Sequence, residues 1–263
     1  MPESVTTYLL LCFSALVAGA INSVAGGGTL LTFSALLTVV DPVIANATST
    51  VALVPGSLAG GWAYRRELLA LSRWTGLLIV PSLVGGVVGS LLVTELDERY
   101  FSALVPWLLL TAALLFLSQP AIARLAGIGK DHTPPTARTL AGVILFQFLV
   151  AVYGGYFGAG IGILMLSALG LMGFGDIHRM NALKNVLGAC INGVSVAVFV
   201  AERKVEWRYA LSMTITAILG GYLGARTARR LDGNVVRWVI VLIGLGLAAH
   251  FFYQQWRSAN GGR

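Results

Sequence analysis

Apolar runs of about 20 residues recur from one end of the chain to the other, each closed off by a short charged loop. A soluble domain cannot bury that many such runs. Of the 263 residues, 57% are hydrophobic and 11% charged, where a soluble domain carries about 25% charge. In hydrocarbon every backbone group needs an internal partner, and a helix supplies one. The chain therefore reads as an all-α polytopic membrane protein. Its apolar segments fall at 5–25, 29–40, 46–64, 74–94 and 100–118, then at 139–157, 163–174, 181–200, 209–225 and 236–254.

The run from Val5 reads as a first membrane helix and not a cleaved leader, because Glu3 stands where a basic region would precede it. The net charge of +7 is concentrated in loops such as Arg65-Arg66 and Arg226 to Arg230. Such residues set topology and touch lipid headgroups, so lipid is an expected partner and nucleic acid is not. Cys12 and Cys190 both lie in apolar segments and read as small buried hydrophobes. No motif calls for a metal or a cofactor.

The pattern restarts after a polar stretch, 119–138. Adding 135 to a position in the first half often returns the same residue: Asp41 becomes Asp176, Asn46-Ala47 becomes Asn181-Ala182, Glu67 becomes Glu202 and Arg73 becomes Arg208. Gly85-Gly86 and Gly89 return as Gly220-Gly221 and Gly224, Leu96-Asp97 as Leu231-Asp232, and Phe116 as Phe251. Apolar matches are cheap in such a chain, but charged, Asn and Gly matches at one offset are not. They indicate two tandem homologous repeats, 1–118 and 139–263, joined by the linker 119–138 in one integral membrane domain. Internal duplication is the architecture of secondary transporters, with substrate between the halves. A shift of arginines from the first loop of one half to a later loop of the other points to inverted halves. Parallel halves remain open if 5–25 and 29–40 form one broken crossing.

Both halves are interrupted by glycine near their start. The first has Ala25-Gly26-Gly27-Gly28 and the second Gly158-Ala159-Gly160-Ile161-Gly162. Each interruption precedes an apolar segment of about a dozen residues, too short to span alone. A helix that starts inside a membrane exposes unpaired N–H groups and about half a positive charge. Glycine lets an anion come close to them. The two breaks thus read as anion-binding cradles on broken or re-entrant helices, with packing through small residues as the alternative.

The next segment in each half carries a polar stripe. Asn181, Lys184, Asn185, Gly188 and Asn192 fall within an arc of roughly 100°. Their counterparts are Asn46, Ser49, Thr50, Leu53 and Ser57. Lys184 stands inside an apolar segment, where an ionisable group marks a site by default; snorkelling to the headgroups is the alternative. The spans contain no Asp or Glu to pair with it, so its partner is expected to be an anion. Asn22, Ser23 and Thr29 at the first break, and Tyr153 and Tyr156 before the second, are further hydrogen-bonding candidates.

These residues resemble the TauE/SafE sulfite-exporter-like permeases over nearly the whole chain. The resemblance rests on AGAINSVAGGGTLL and ANATS in the first half, and on GGYFGAGIG and NALKN in the second. It implies a cytoplasmic-membrane transporter, often an exporter, of small sulfur-containing anions such as sulfite or organosulfonates. It also implies about four plus four transmembrane helices. The family's glycine motif falls on Gly26, Gly27, Gly28, Gly158, Gly160 and Gly162, and its second-half lysine on Lys184. A homo-oligomer is compatible with this reading. An intramembrane enzyme is the alternative from another class, although no HExxH, GxSxG or paired acid appears; a membrane anchor or assembly factor is the other.

Overall fold

The computed structural model describes residues 5–24, 27–63, 72–125, 137–171, 177–227 and 233–260. The regular structure among them is helical: α1 (Val5–Val24), α2 (Thr29–Leu36), α3 (Pro42–Ala63), α4 (Ser72–Glu95), α5 (Glu98–Leu125), α6 (Ala137–Tyr156), α7 (Ile161–Leu171), α8 (Ile177–Ala201), α9 (Trp207–Thr227) and α10 (Gly233–Asn260). Stretches long and apolar enough to cross a bilayer lie at Val5–Asn22, Trp74–Glu95, Glu98–Ser118, Ala182–Ala201 and Trp238–Arg257. Leu9, Phe13, Leu145, Leu211, Ile215 and Leu242 stand exposed on the outside of the bundle. In water this apolar belt would oppose folding, whereas against lipid tails it costs nothing. The chain is a multi-pass membrane protein.

Packed pairs give the direction of each helix. Tyr8 meets Tyr209 with ring centroids 5.5 Å apart, while Gly19 further along α1 faces Ala217 and Gly221. So α1 and α9 run parallel. Gln147 Nε2 donates to Ser82 Oγ at 2.9 Å, and Gly89 further along α4 faces Val152 and Tyr156, so α4 and α6 also run parallel. The Glu206 amide donates to Thr48 Oγ1 at 3.0 Å, and Gly56 lies near Ala217. This sets α3 parallel to α9, with its start beside the end of α8. The Tyr156 carbonyl that closes α6 accepts from Asn46 Nδ2 at 3.0 Å, near the start of α3. Helices α1, α3 and α9 therefore run one way and α4, α6 and α8 the other. Because α1 and α3 share a direction, the chain must return between them, and α2 lies on that return. Helix α7 does the same between α6 and α8.

Neither return helix can span. Eight residues of α2 and eleven of α7 reach only about 12 and 16 Å, against about 30 Å of hydrocarbon. Gly28 packs against the backbone of Ala18, six residues or about 9 Å back along α1 from its end. Helix α2 thus starts inside the length of α1.

The two tightest helix pairs, α1 with α9 and α4 with α6, meet through glycine. A Cβ at Gly89 would overlap the Val152 carbonyl, and one at Gly220 the Leu16 carbonyl. Gly89→Val should therefore lower stability by about 1–3 kcal/mol through overpacking, read as a lower midpoint of thermal unfolding in detergent. Gly76→Ala on the same helix has open space around it and should be neutral. Equal midpoints for the two variants would contradict this packing.

Helix α5 continues through Pro120 to Leu125, so helical structure extends into the stretch that composition alone assigns to the linker. Pro120 lies just past the apolar span that ends at Ser118, and the carbonyl it leaves without an intrahelical donor is that of Phe116, one turn back. At its other end α5 is capped by Asp97, whose Oδ1 accepts from the Arg99 amide at 2.9 Å. Hydrogen bonds from the Arg99 guanidinium and amide hold the exposed Asp97 carboxyl down at about 2.

Candidate anion site at the helix breaks

The two breaks differ in what their polar groups already contact. At the first, the Gly28 amide donates to Asn22 Oδ1 at 2.8 Å. Ser49, on α3, shares a 2.6 Å hydrogen bond with Thr32 of α2, and both are fully buried. Thr50 returns its hydroxyl proton to the Asn46 carbonyl at 2.8 Å. Gly27 has φ 102°, a conformation costly for any residue with a Cβ. The space where its Cβ would stand is filled by the Phe116 ring. Asn22, Gly27, Gly28 and Ser49 are thus brought around one break, where the Gly28 amide and the Ser49 hydroxyl are engaged while the Gly27 and Thr29 amides donate to no described group. Thr29 is half-buried at the start of α2. Gly26 and the Ser23 side chain lie outside the described residues.

The second break is built differently. Tyr153 Oη donates to the Ala159 carbonyl at 2.8 Å, and the amides of Phe157 and Gly158 converge on the Tyr153 carbonyl at 2.9 and 3.2 Å. Gly158 and Gly160 both have φ 81°. This winding lets the chain leave α6 and enter α7 in four residues. The Ile163 amide folds back to the Gly160 carbonyl at 3.0 Å. The amides of Gly160 and Gly162 donate to no described group. They are the orphan donors of a helix start.

Lys184 lies over that start. A Cβ added at Gly162 would be 3.4 Å from Lys184 Cδ and 4.0 Å from Cε, so the aliphatic stem runs across the first turn of α7. No described acid or hydrogen-bond acceptor pairs with its ammonium. A cation beside a helix N-terminus sets two positive potentials together, and a lysine near such an end is disfavoured unless an anion lies between them. Asn185 and Asn192, on the same helix, are half-buried and bond to no described group. The Asn181 side chain lies outside the described residues, although its backbone belongs to α8.

Further contacts join residues far apart in the chain around the second break. Asn46 caps the carbonyl of Tyr156, and because that carbonyl can only accept, the Asn46 amide orientation is set; its Oδ1 is buried without a partner. The Tyr156 ring rests on Phe101 with centroids 5.3 Å apart. Phe33 of α2 meets Phe157 of the second break edge to face at 5.1 Å. Thr32, Phe33, Phe101 and Phe116 were not among the residues singled out for chemistry in the sequence. Only Phe116 left a signal there, as one of the identities that recur after 135 positions. No cluster of three or more His, Cys, Asp or Glu able to hold a metal occurs among the described residues.

A family model described as "Sulfite exporter TauE/SafE" matches residues 11–251. A Haemophilus influenzae protein named "Probable membrane transporter protein" is 28% identical over 241 residues, covering 91% of this chain and 92% of that protein. "Probable membrane transporter protein YfcA" of Escherichia coli strain K12 is 29% identical over 247 residues, covering 93% and 89%. "Probable membrane transporter protein ORF9" of a Sinorhizobium species is 30% identical over 239 residues, covering 89% and 88%.

Proposed function

Because the chain belongs to the sulfite exporter TauE/SafE family, we propose that it is a secondary transporter exporting small sulfur-containing anions, sulfite or organosulfonates, across the cytoplasmic membrane. The anion sits between the halves, at the second break. The Gly160 and Gly162 amides face it from one side and the Lys184 ammonium from the other, with Asn185 and Asn192 continuing the path along α8. The observation that carries this reading is the Lys184 stem lying across the first turn of α7, over Gly162. That arrangement gathers positive potential with no acid among the described residues to balance it.

The halves, 1–118 and 139–263, work as inverted repeats across the linker 119–138. Their corresponding first helices, α1 and α6, run in opposite directions. Their contacts also come in exchanged pairs: α1 on α9 with α6 on α4, α3 on α9 with α8 on α4, and α2 on α10 with α7 on α5. Inverted repeats around a midplane site allow the access to alternate by exchanging the conformations of the halves. The first break, where Asn22 holds the Gly28 amide, supports the second, and Asn46 of the same half caps Tyr156 beside it.

Two experiments test this reading. Purified protein in liposomes should take up radiolabelled sulfite saturably; no uptake of sulfite, thiosulfate, sulfoacetate or taurine would overturn the substrate class. Reporter fusions at Glu67 and Glu202 should report opposite sides of the membrane, and the same side for both would overturn the inverted arrangement.

A further inference from the structure

Phe116 is fully buried on α5, and its ring touches both breaks. At Gly27 it occupies the space a Cβ would need, and at Gly160 its Cε2 lies 3.8 Å from the equivalent position. Leu115 covers Gly160 more closely, with Cδ1 at 3.4 Å. One aromatic side chain from a third helix thus stands between the two places where the chain turns back inside the membrane. Phe33 and Phe157 belong to the same buried cluster, so the gap between the breaks is filled with aromatic surface.

We propose that Phe116 is the seal of the permeation path: its ring closes the gap between the two glycine breaks, and an anion crosses only when the ring withdraws. This rests on the transport reading above. An ion in the gap would have to shed water against an aromatic face, and the Gly28 amide beyond the ring is already bonded to Asn22. The absence of a Cβ at Gly27 then has a specific consequence: it admits the ring and lets the two re-entrant segments close on it. Phe251, the residue 135 positions on, is half-buried on α10 and packs against the same cluster. In the oppositely open state of an inverted repeat it is the residue that would take the corresponding place.

The test is passive leak, which does not depend on knowing the substrate. Liposomes containing the parent protein, Phe116→Leu or Phe116→Ala are loaded with a chloride-sensitive dye, and a potassium diffusion potential is imposed with valinomycin. The parent should be tight to chloride. Phe116→Ala should leak at least tenfold faster, with Phe116→Leu in between, while each variant still unfolds cooperatively. Leucine largely preserves the packing, so Phe116→Leu decides the matter if the alanine variant does not fold. Folded variants as tight as the parent would overturn the seal. A leaky variant of a parent that moves no sulfur anion would keep the seal and overturn the substrate instead.

Discussion

Lys184→Met is expected to weaken anion binding by roughly 10- to 150-fold, which corresponds to losing one charge-assisted contact of about 1.5–3 kcal/mol. Methionine keeps most of the length and the apolar stem that crosses Gly162, so the packing of α7 on α8 should survive. The relief of repulsion between the ammonium and the helix start should leave the folded protein no less stable. Loss of affinity without loss of stability is the signature of a binding charge, as opposed to one that snorkels. Lys184→Arg is not expected to rescue fully, because a planar five-donor fork does not fit where a compact ammonium sits. Ser49, at the corresponding position of the first half, bonds to Thr32. Ser49→Ala should therefore affect stability by about 1 kcal/mol and leave affinity nearly unchanged. Isothermal titration of sulfite into purified variants, alongside their thermal midpoints, separates these outcomes. Equal affinities for Lys184→Met and the parent would remove the lysine from the site.

Gly27→Ala is expected to produce the largest loss of stability. A side chain at φ 102° is strained by about 1–3 kcal/mol. Its overlap with the Phe116 ring adds another 1–3 kcal/mol of overpacking. The second part depends on the ring and the first does not. Combining Gly27→Ala with Phe116→Ala should therefore cost less than the sum of the two single changes, by about 0.5–3 kcal/mol, as expected for residues in contact. Thermal or denaturant unfolding of the four proteins in detergent measures this coupling. Strict additivity would mean that the ring and the break do not meet.

Composition was enough to read the helices and the membrane, because a bilayer leaves a chain this apolar few options. The helix directions needed more than composition. Arginine placement could only lean toward inverted halves, whereas pairs such as Tyr8 with Tyr209 and Gln147 with Ser82 relate residues far apart in the chain. At the site, glycine and lysine stood out because both are costly in a membrane helix. What could not be read was which donors remain open. Asn22 and Gly28 look equally available in the sequence, yet they bond to each other. Asn46 looks like part of a first-half site, yet it caps Tyr156, 110 residues away. Phe116 was hidden for a different reason: one Phe among 11 is unremarkable until its neighbours are known. Its recurrence as Phe251 was the available clue.

The central claim is that the anion binds at the second break. Crystals of the protein soaked in selenite, a heavier analogue of sulfite, test it most directly through the anomalous signal of selenium. The expected result is one anomalous peak within hydrogen-bonding reach of Lys184 Nζ and the Gly162 amide, absent from Lys184→Met crystals. A peak seated elsewhere in the bundle, or one that persists at the same place in Lys184→Met, would contradict it.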